Sequence, residues 1–347
     1  MQIITDCQAL DAFLSHAMTQ KYVACDTEFV RVRTYYPDLA LIQLATTTQD
    51  VLIDPLLLPD LKALKKLFES KKIVKVFHAP RQDLEILRHD LGFKPVNIFD
   101  TQIAAALTDL QDQVGYEGLV KEFLDVQLDK SSQFTDWLER PLSPEQLTYA
   151  SADVTYLIKV YEKMKSSMGT RFEWARDLSR SYESDALYET DLTPLYYKWA
   201  NRMKSETQRV RLWTAISWRE ERAIQINRPR PWILKDKDLL DFAREEKGNY
   251  PSYLLKEIDK NYNKRLKVVR QMNKDKAKSL STKQRNALKE LKTTANKIAQ
   301  ECNMPLRYLA NKDDFVHYIR SHNAPEVGFD WQHTLLWQAI KDLKTRE

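Results

Sequence analysis

The chain reads as an α/β domain followed by two small all-helical modules, and three observations predict this. Residues 1–165 alternate short β-like runs with amphipathic helical segments. From about residue 205 the β signal fades, and helical patterns joined by proline-containing loops take over. The charge divides along the same line. Of 54 Lys+Arg and 49 Asp+Glu, residues 191–347 hold 33 and 20, which leaves 21 and 29 in the first 190. An acidic front suits the holding of cations and a basic rear the gripping of a polyanion; two ordinary solvated surfaces are the plainer alternative.

Length and composition exclude other classes. With 347 residues the chain holds two or three domains, and 43% hydrophobic with 30% charged residues is the balance of a globular protein. No stretch approaches the roughly 20 apolar residues of a membrane span, so no membrane association is expected. The opening "MQIITDCQAL" has neither the basic segment nor the apolar core of a signal peptide. Cys7, Cys25 and Cys302 show no zinc-type spacing and no disulfide framework, which points to a reducing cytoplasm. Six glycines and no phosphate-cradling glycine loop argue against an ATP-driven motor.

The elements follow in order. "QIIT" (2–5), "YVACDTEF" (22–29), "LALIQLAT" (39–46), "DVLIDP" (50–55) and "KIVKVFHA" (72–79) are rich in β-branched and aromatic residues and read as strands. Segments 60–70, 81–90 and 100–108 carry apolar residues at spacings of three and four and read as helices. The best-signalled helix starts after Ser143, an N-cap followed by Pro144 and, three residues on, by Gln146; it runs to about Met168. Beyond residue 205, two segments share one pattern: a helix, a loop holding proline, a Lys-Asp turn ("ILKDKDLLDFA" and "LANKDDFVHYI") and another helix, a weak internal repeat.

The chemistry rests on acids. Asp26 and Glu28 are two residues apart on a strand and so share a face. Burying carboxylates costs several kcal/mol each unless something compensates, and two on one face repel unless a cation sits between them. Oxygen-only donors suit Mg²⁺ or Mn²⁺ rather than zinc; a strand end bearing two solvated acids is the alternative. Asp83 lies in the first turn of the helix after the strand that ends near His78. Tyr149 and Asp153 are four residues apart, on one face of the Ser143 helix. That helix is apolar enough (Leu147, Ala150, Val154, Leu157) to make an uncompensated Asp153 costly.

"DTE" at 26–28, "HAPRQD" at 78–83 and "YASAD" at 149–153 resemble, in order and spacing, the three exonuclease motifs of the DEDD superfamily in its tyrosine-bearing branch. The stretch "LDKSSQFTDWLERPLSPEQLTYASADVTYL" is similar to the ribonuclease D family. "WREERAIQINRPRPWILKDKDLLDFA" resembles the helicase-and-RNase-D C-terminal (HRDC) domain. The resemblance implies a ribonuclease H-like exonuclease domain over 1–190, with a mixed central sheet and flanking helices. An HRDC domain over 205–280 and a second, HRDC-like domain over 281–347 would follow. It further implies that Asp26, Glu28, Asp83 and Asp153 hold two divalent ions, Mg²⁺ or Mn²⁺. In that scheme Asp26 bridges both ions, Glu28 and Asp153 complete the first, and Asp83 supports the second. Tyr149 orients the attacking water, since a phenol with an ordinary pKa near 10 is a poor base.

The activity so implied is 3′→5′ exoribonucleolytic release of nucleoside 5′-monophosphates from RNA with a free 3′ end, such as tRNA precursors. No protein partner can be inferred. Phe29 is a candidate for stacking on the terminal base or for core packing. His78 is a candidate structural or substrate-contacting residue. Arg81 and Gln82 are candidates for phosphate or sugar contact, and Lys130 with Trp137 for ordering a loop near the site, with plain packing the alternative for Trp137. A DNA exonuclease of the same superfamily and a non-catalytic RNA-binding protein are the competing readings. Between Lys260 and Lys292 twelve basic residues face only Asp275 and Glu290, either a solvated helix face or a phosphate-tracking surface. Tyr250, Tyr253 and Tyr262 flank that run and either stack bases or fill the module's core.

Overall fold

The computed structural model describes residues 2–108, 110, 112–129, 135–245, 250, 252–277, 280–326 and 328–344. Six strands, β1 (Gln2–Ile4), β2 (Tyr22–Val30), β3 (Asp38–Ala45), β4 (Asp50–Ile53), β5 (Val74–Phe77) and β6 (Ile98–Asp100), form one sheet in the order β1-β4-β3-β2-β5-β6. The sheet is mixed: β1 pairs parallel with β4, β2 with β5 and β5 with β6, whereas β3 and β4 run antiparallel. All five strands expected from sequence are present. The sixth is not among them: Ile98 and Phe99 are too short a run to signal a strand, and the helical pattern over 100–108 takes in Asp100.

Helices α1 (Cys7–Ala17), α2 (Lys65–Phe68), α3 (Arg81–His89), α4 (Thr101–Ala105), α5 (Tyr116–Leu124), α6 (Pro144–Ser167) and α7 (Thr170–Ser179) alternate with or follow the strands. The α6 boundaries match the sequence signals. Ser143 and Gln146 form a reciprocal capping box, Pro144 occupies the first turn, and Met168 is the C-cap. This helix packs against β2, β4 and β5. Its apolar face (Val154, Leu157, Tyr161) meets Ala24, Val76 and Phe99 in a core where Phe99 is 4.8 Å from Phe172, ring centre to ring centre.

The chain divides into two compact units, one of residues 1–30, 39–187 and 281–347, the other of 31–38 and 188–280. In the first unit, α13 (Thr282–Glu301), α14 (Lys312–Ser321) and a terminal helical segment (Asp330–Lys344) share the α/β core through Leu291, Ile298, Phe315 and Trp337. Arg171 donates to the carbonyls of Leu107, Cys302 and Asn303, and Trp331 stacks on Trp174 at 4.9 Å.

The second unit comprises α8 (Thr193–Ala200), α9 (Glu206–Gln225), α10 (Arg230–Ile233), α11 (Asp236–Ala243) and α12 (Ser252–Ala277) around Tyr196, Leu212, Ile216 and Phe242. Tyr250 and Tyr262 pack against that core, while the side chain of Tyr253 lies outside the described residues. The internal repeat has a structural counterpart: α9–α10–α11 and α13–(Leu306–Tyr308)–α14 are each a long helix, a single turn after proline, and a short helix. Segment 31–38 joins this unit by hydrogen bonds. Asn227 Oδ1 accepts the amides of Tyr35 and Tyr36 at 2.9 Å each, and the Tyr35 hydroxyl donates to Glu220. Among the described residues, no helix is long and apolar enough to cross a membrane. The three cysteines are free.

Candidate active site

Strand β2 is buried through Val23, Ala24 and Cys25, and it delivers Asp26 and Glu28 at its partly open end. Helix α6 brings Asp153 to the same place. One carboxylate oxygen from each of Asp26, Glu28 and Asp153 lies within 4.8 Å of the others. Asp83 arrives from the first turn of α3, where free helix amides favour an anion. It accepts the Thr27 hydroxyl. Tyr149 stands one turn before Asp153, with its ring 6.0 Å from that of Trp137.

Electrostatics follow from this crowding. Burial, then repulsion from Asp83, Asp153 and Glu28, holds the Asp26 carboxyl well above its ordinary range. Burial, then Asp153 and Asp83, pushes Glu28 up to about 9. Burial raises Asp153 to about 7 and Asp83 to about 6, the latter restrained by its hydrogen bonds with Thr27. Such a group of acids is costly alone, and divalent cations would relieve that cost. The donors are all carboxylate oxygens, which fits Mg²⁺ or Mn²⁺. Burial and the neighbouring carboxylates also raise Tyr149. Its hydroxyl therefore keeps its proton and can donate a hydrogen bond.

Residues that the sequence reading passed over shape the site. The backbone turns from β5 into α3 through Ala79, whose φ of 53° is left-handed, a costly state for a residue with a Cβ. Asp100 accounts for that turn: its carboxylate accepts the Ala79 amide (2.9 Å), the Gln102 amide (2.8 Å) and the Tyr182 hydroxyl (2.8 Å). An Asp directly before a helical pattern is an N-cap signature, so Asp100 was findable. Tyr182, more than 80 residues away, was not. Tyr116 donates to the Ala152 carbonyl at 3.0 Å, next to Asp153.

The remaining candidates divide. Thr101 donates to the Phe77 carbonyl, so His78 Nδ1 donates to Thr101 Oγ1 at 3.0 Å. Burial lowers His78 to about 4, which leaves a neutral, structurally engaged imidazole. Arg81 donates to the Leu187 carbonyl at 2.7 Å, and Arg88 to Asp185 at 2.6 Å and to the carbonyls of Tyr182 and Glu183. Together these bonds strap α3 in place. Gln82 is exposed and Phe29 partly buried. Trp137 is buried in a small cluster with Ala40, Leu41, Leu52 and Ala150. Its loop is pinned by Arg140, which holds Asp54 through two hydrogen bonds (2.6 and 3.0 Å) and also donates to the Ala40 and Trp137 carbonyls. Lys130 lies outside the described residues.

A family model described as 3′-5′ exonuclease matches residues 1–168. The solved structure of Escherichia coli RNase D, described as an exoribonuclease involved in structured RNA processing, superposes with a TM-score of 0.77 at 28% identity, covering 99% of this chain and 98% of that one. The catalytic core of RRP6 from Trypanosoma brucei has the same fold at 23% identity, with a TM-score of 0.54 over 79% of this chain and 80% of that one. Fold and acid cluster together define a ribonuclease H-like 3′-5′ exonuclease domain. Ribonuclease D of Bartonella henselae is 39% identical over 268 residues, which cover 76% of this chain and 66% of the relative. Ribonuclease D of Jannaschia sp. is 42% identical over 248 residues, covering 69% and 64%. The chain thus aligns with just under two thirds of these relatives' length, and it belongs to the ribonuclease D family.

Proposed function

We propose that this chain is a metal-dependent 3′→5′ exoribonuclease that releases nucleoside 5′-monophosphates one at a time, trimming tRNA precursors and other structured RNAs. The observation that carries the reading is the convergence of Asp26, Glu28 and Asp153 within 4.8 Å, with Asp83 fastened to the same strand through Thr27. Asp26, Glu28, Asp83 and Asp153 are the residues that would hold two divalent ions. When bound, such a pair supplies an activated water and stabilises the departing 3′ oxygen.

The chain's own groups do the rest. Tyr149 donates a hydrogen bond that aims the hydrolytic water along the scissile bond. Thr27 and the Asp100-clamped turn keep Asp83 in register with β2. Phe29, outside the described hydrophobic clusters, stacks on the terminal base. Gln82 and Lys130 reach the sugar-phosphate backbone, and His78 and Arg81 hold the α3 entrance around it. Residues 1–190 form the catalytic domain, and 205–280 and 281–347 act as HRDC and HRDC-like domains. The run from Lys260 to Lys292 follows phosphates without reading sequence. The working compartment is the cytoplasm, consistent with three unpaired cysteines.

Digestion of 5′-labelled RNA carrying a 3′ extension, beside DNA of the same sequence, tests the reading. Stepwise shortening of the RNA that stops with chelator is expected. Asp26→Asn and Asp153→Asn should abolish trimming and leave RNA binding largely intact. Preferential shortening of DNA would transfer the activity to a DNA exonuclease, and trimming by either variant at the wild-type rate would remove the two-ion assignment.

A further inference from the structure

Of the eight tryptophans in the chain, seven are buried or partly buried; Trp232, 61% exposed, stands out. It sits on α10, one helical turn stiffened by Pro229 before it and Pro231 within it, with its amide donating to the Pro229 carbonyl at 2.9 Å. Its indole does not belong to the unit's hydrophobic core. A rigidly presented, uncovered indole forgoes the burial that would stabilise the fold, so packing does not explain it.

The stretches that carry it and its neighbours are basic in sequence. Between Arg222 and Lys235 the sequence holds Arg222, Arg228, Arg230 and Lys235 and no acid; between Glu28 and Asp38 it holds Arg31 and Arg33 and no acid. These two stretches are bound to each other. Asn227 takes the amides of Tyr35 and Tyr36, Arg228 donates to the Arg33 carbonyl at 3.1 Å, and Arg230 donates to the Tyr35 hydroxyl at 3.0 Å. Arg230 is already neutralised by Glu220, and Arg222 donates to Gln225. The exposed Arg33 and Arg228 carry the cationic character of the surface. Val32, Ile224 and Ile226, also exposed on these stretches, add apolar area.

An exposed indole in the same unit as the exposed Arg33 and Arg228 complements a polymer whose bases are flat and whose backbone is anionic. We infer that Trp232, with Arg33 and Arg228, is a sequence-tolerant stacking site for an unpaired nucleotide of RNA, separate from the carboxylate cluster. The inference rests on the exoribonuclease reading for the identity of the polymer. A protein partner would use the same apolar area, but the exposed Arg33 and Arg228 favour an anionic polymer.

The test measures binding of fluorescein-labelled single-stranded RNA by anisotropy in chelator, with full-length wild type, Trp232→Ala, Trp232→Phe and Arg228→Ala. Trp232→Ala should weaken binding by at least about 5-fold and Trp232→Phe should recover most of it, as base stacking requires. Arg228→Ala should flatten the dependence of log affinity on log salt by about 0.7. RNA made abasic throughout should bind wild type and Trp232→Ala alike. Hydrolysis of the small ester p-nitrophenyl thymidine 5′-phosphate with Mn²⁺ should be the same in all four proteins. Loss of that hydrolysis in wild type would overturn the exoribonuclease reading. Equal RNA affinity of wild type and Trp232→Ala, with hydrolysis intact, would overturn the stacking site alone and leave the patch to a protein partner.

Discussion

The hydroxyl of Thr27 donates to the carboxylate of Asp83, joining the strand that bears Asp26 and Glu28 to the helix that bears a fourth acid. Groups that orient metal ligands in this way typically contribute 10- to 100-fold to metal affinity or activity. Thr27→Val keeps the shape and deletes the donor. It is expected to lower exonuclease activity by about 10- to 100-fold, with partial recovery as Mn²⁺ is raised. Unchanged activity and an unchanged metal midpoint would show that Asp83 needs no such tie.

Tyr182 donates to Asp100, which in turn clamps the left-handed Ala79 turn. Tyr182→Phe leaves a buried carboxylate one donor short, at a cost of about 1–3 kcal/mol. A lower melting temperature is expected, together with a higher Mg²⁺ concentration for half-maximal activity. A lower melting temperature with an unmoved Mg²⁺ midpoint would confine Tyr182 to the fold.

Tyr149 keeps its proton at neutral pH because burial and the nearby acids raise it. Tyr149→Phe should therefore reduce kcat on the order of 10²-fold, the usual penalty for a misaligned reactant, with little change in KM. Its pH profile should match that of the wild type. Loss of an alkaline limb in the variant would mean that the phenol titrates as a base.

Asp83, Asp153 and Glu28, at about 6, 7 and 9, lie above the ordinary carboxyl values of 3.8 and 4.5. The native state then binds these protons more tightly than the unfolded state. The associated stability is complete below about pH 4 and is lost as pH rises through 6 to 9. Divalent cations compete with the same protons, so their stabilising effect should grow over that interval. Calorimetry in chelator should show the melting temperature falling from about pH 5 to pH 9, and excess Mg²⁺ should reverse most of the fall at the alkaline end. A flat metal-free profile would contradict the crowding of these acids.

Much of this site was legible in the sequence because its signals are local. The two-residue spacing of Asp26 and Glu28, the four-residue spacing of Tyr149 and Asp153, and the Ser143–Gln146 cap each fix geometry within one element. What escaped is long-range or short. Strand β6 has three residues, too few for a period. Thr27, Tyr182 and Arg88 act on partners 56 to 97 residues away, which no periodicity reveals. The placement of residues 31–38 with the helical unit depends on Asn227 and Glu220, and the sharing of a core between α13 and the sheet's helices depends on burial that the basic surface of α13 conceals.

Manganese anomalous diffraction from crystals soaked in MnCl₂ tests the metal centre most directly. Two peaks about 3.5–4 Å apart are expected, both touching Asp26, with Glu28, Asp153 and Asp83 around them. A single peak elsewhere, or Asp83 and Asp153 turned away from Asp26 with no peak between them, would contradict it.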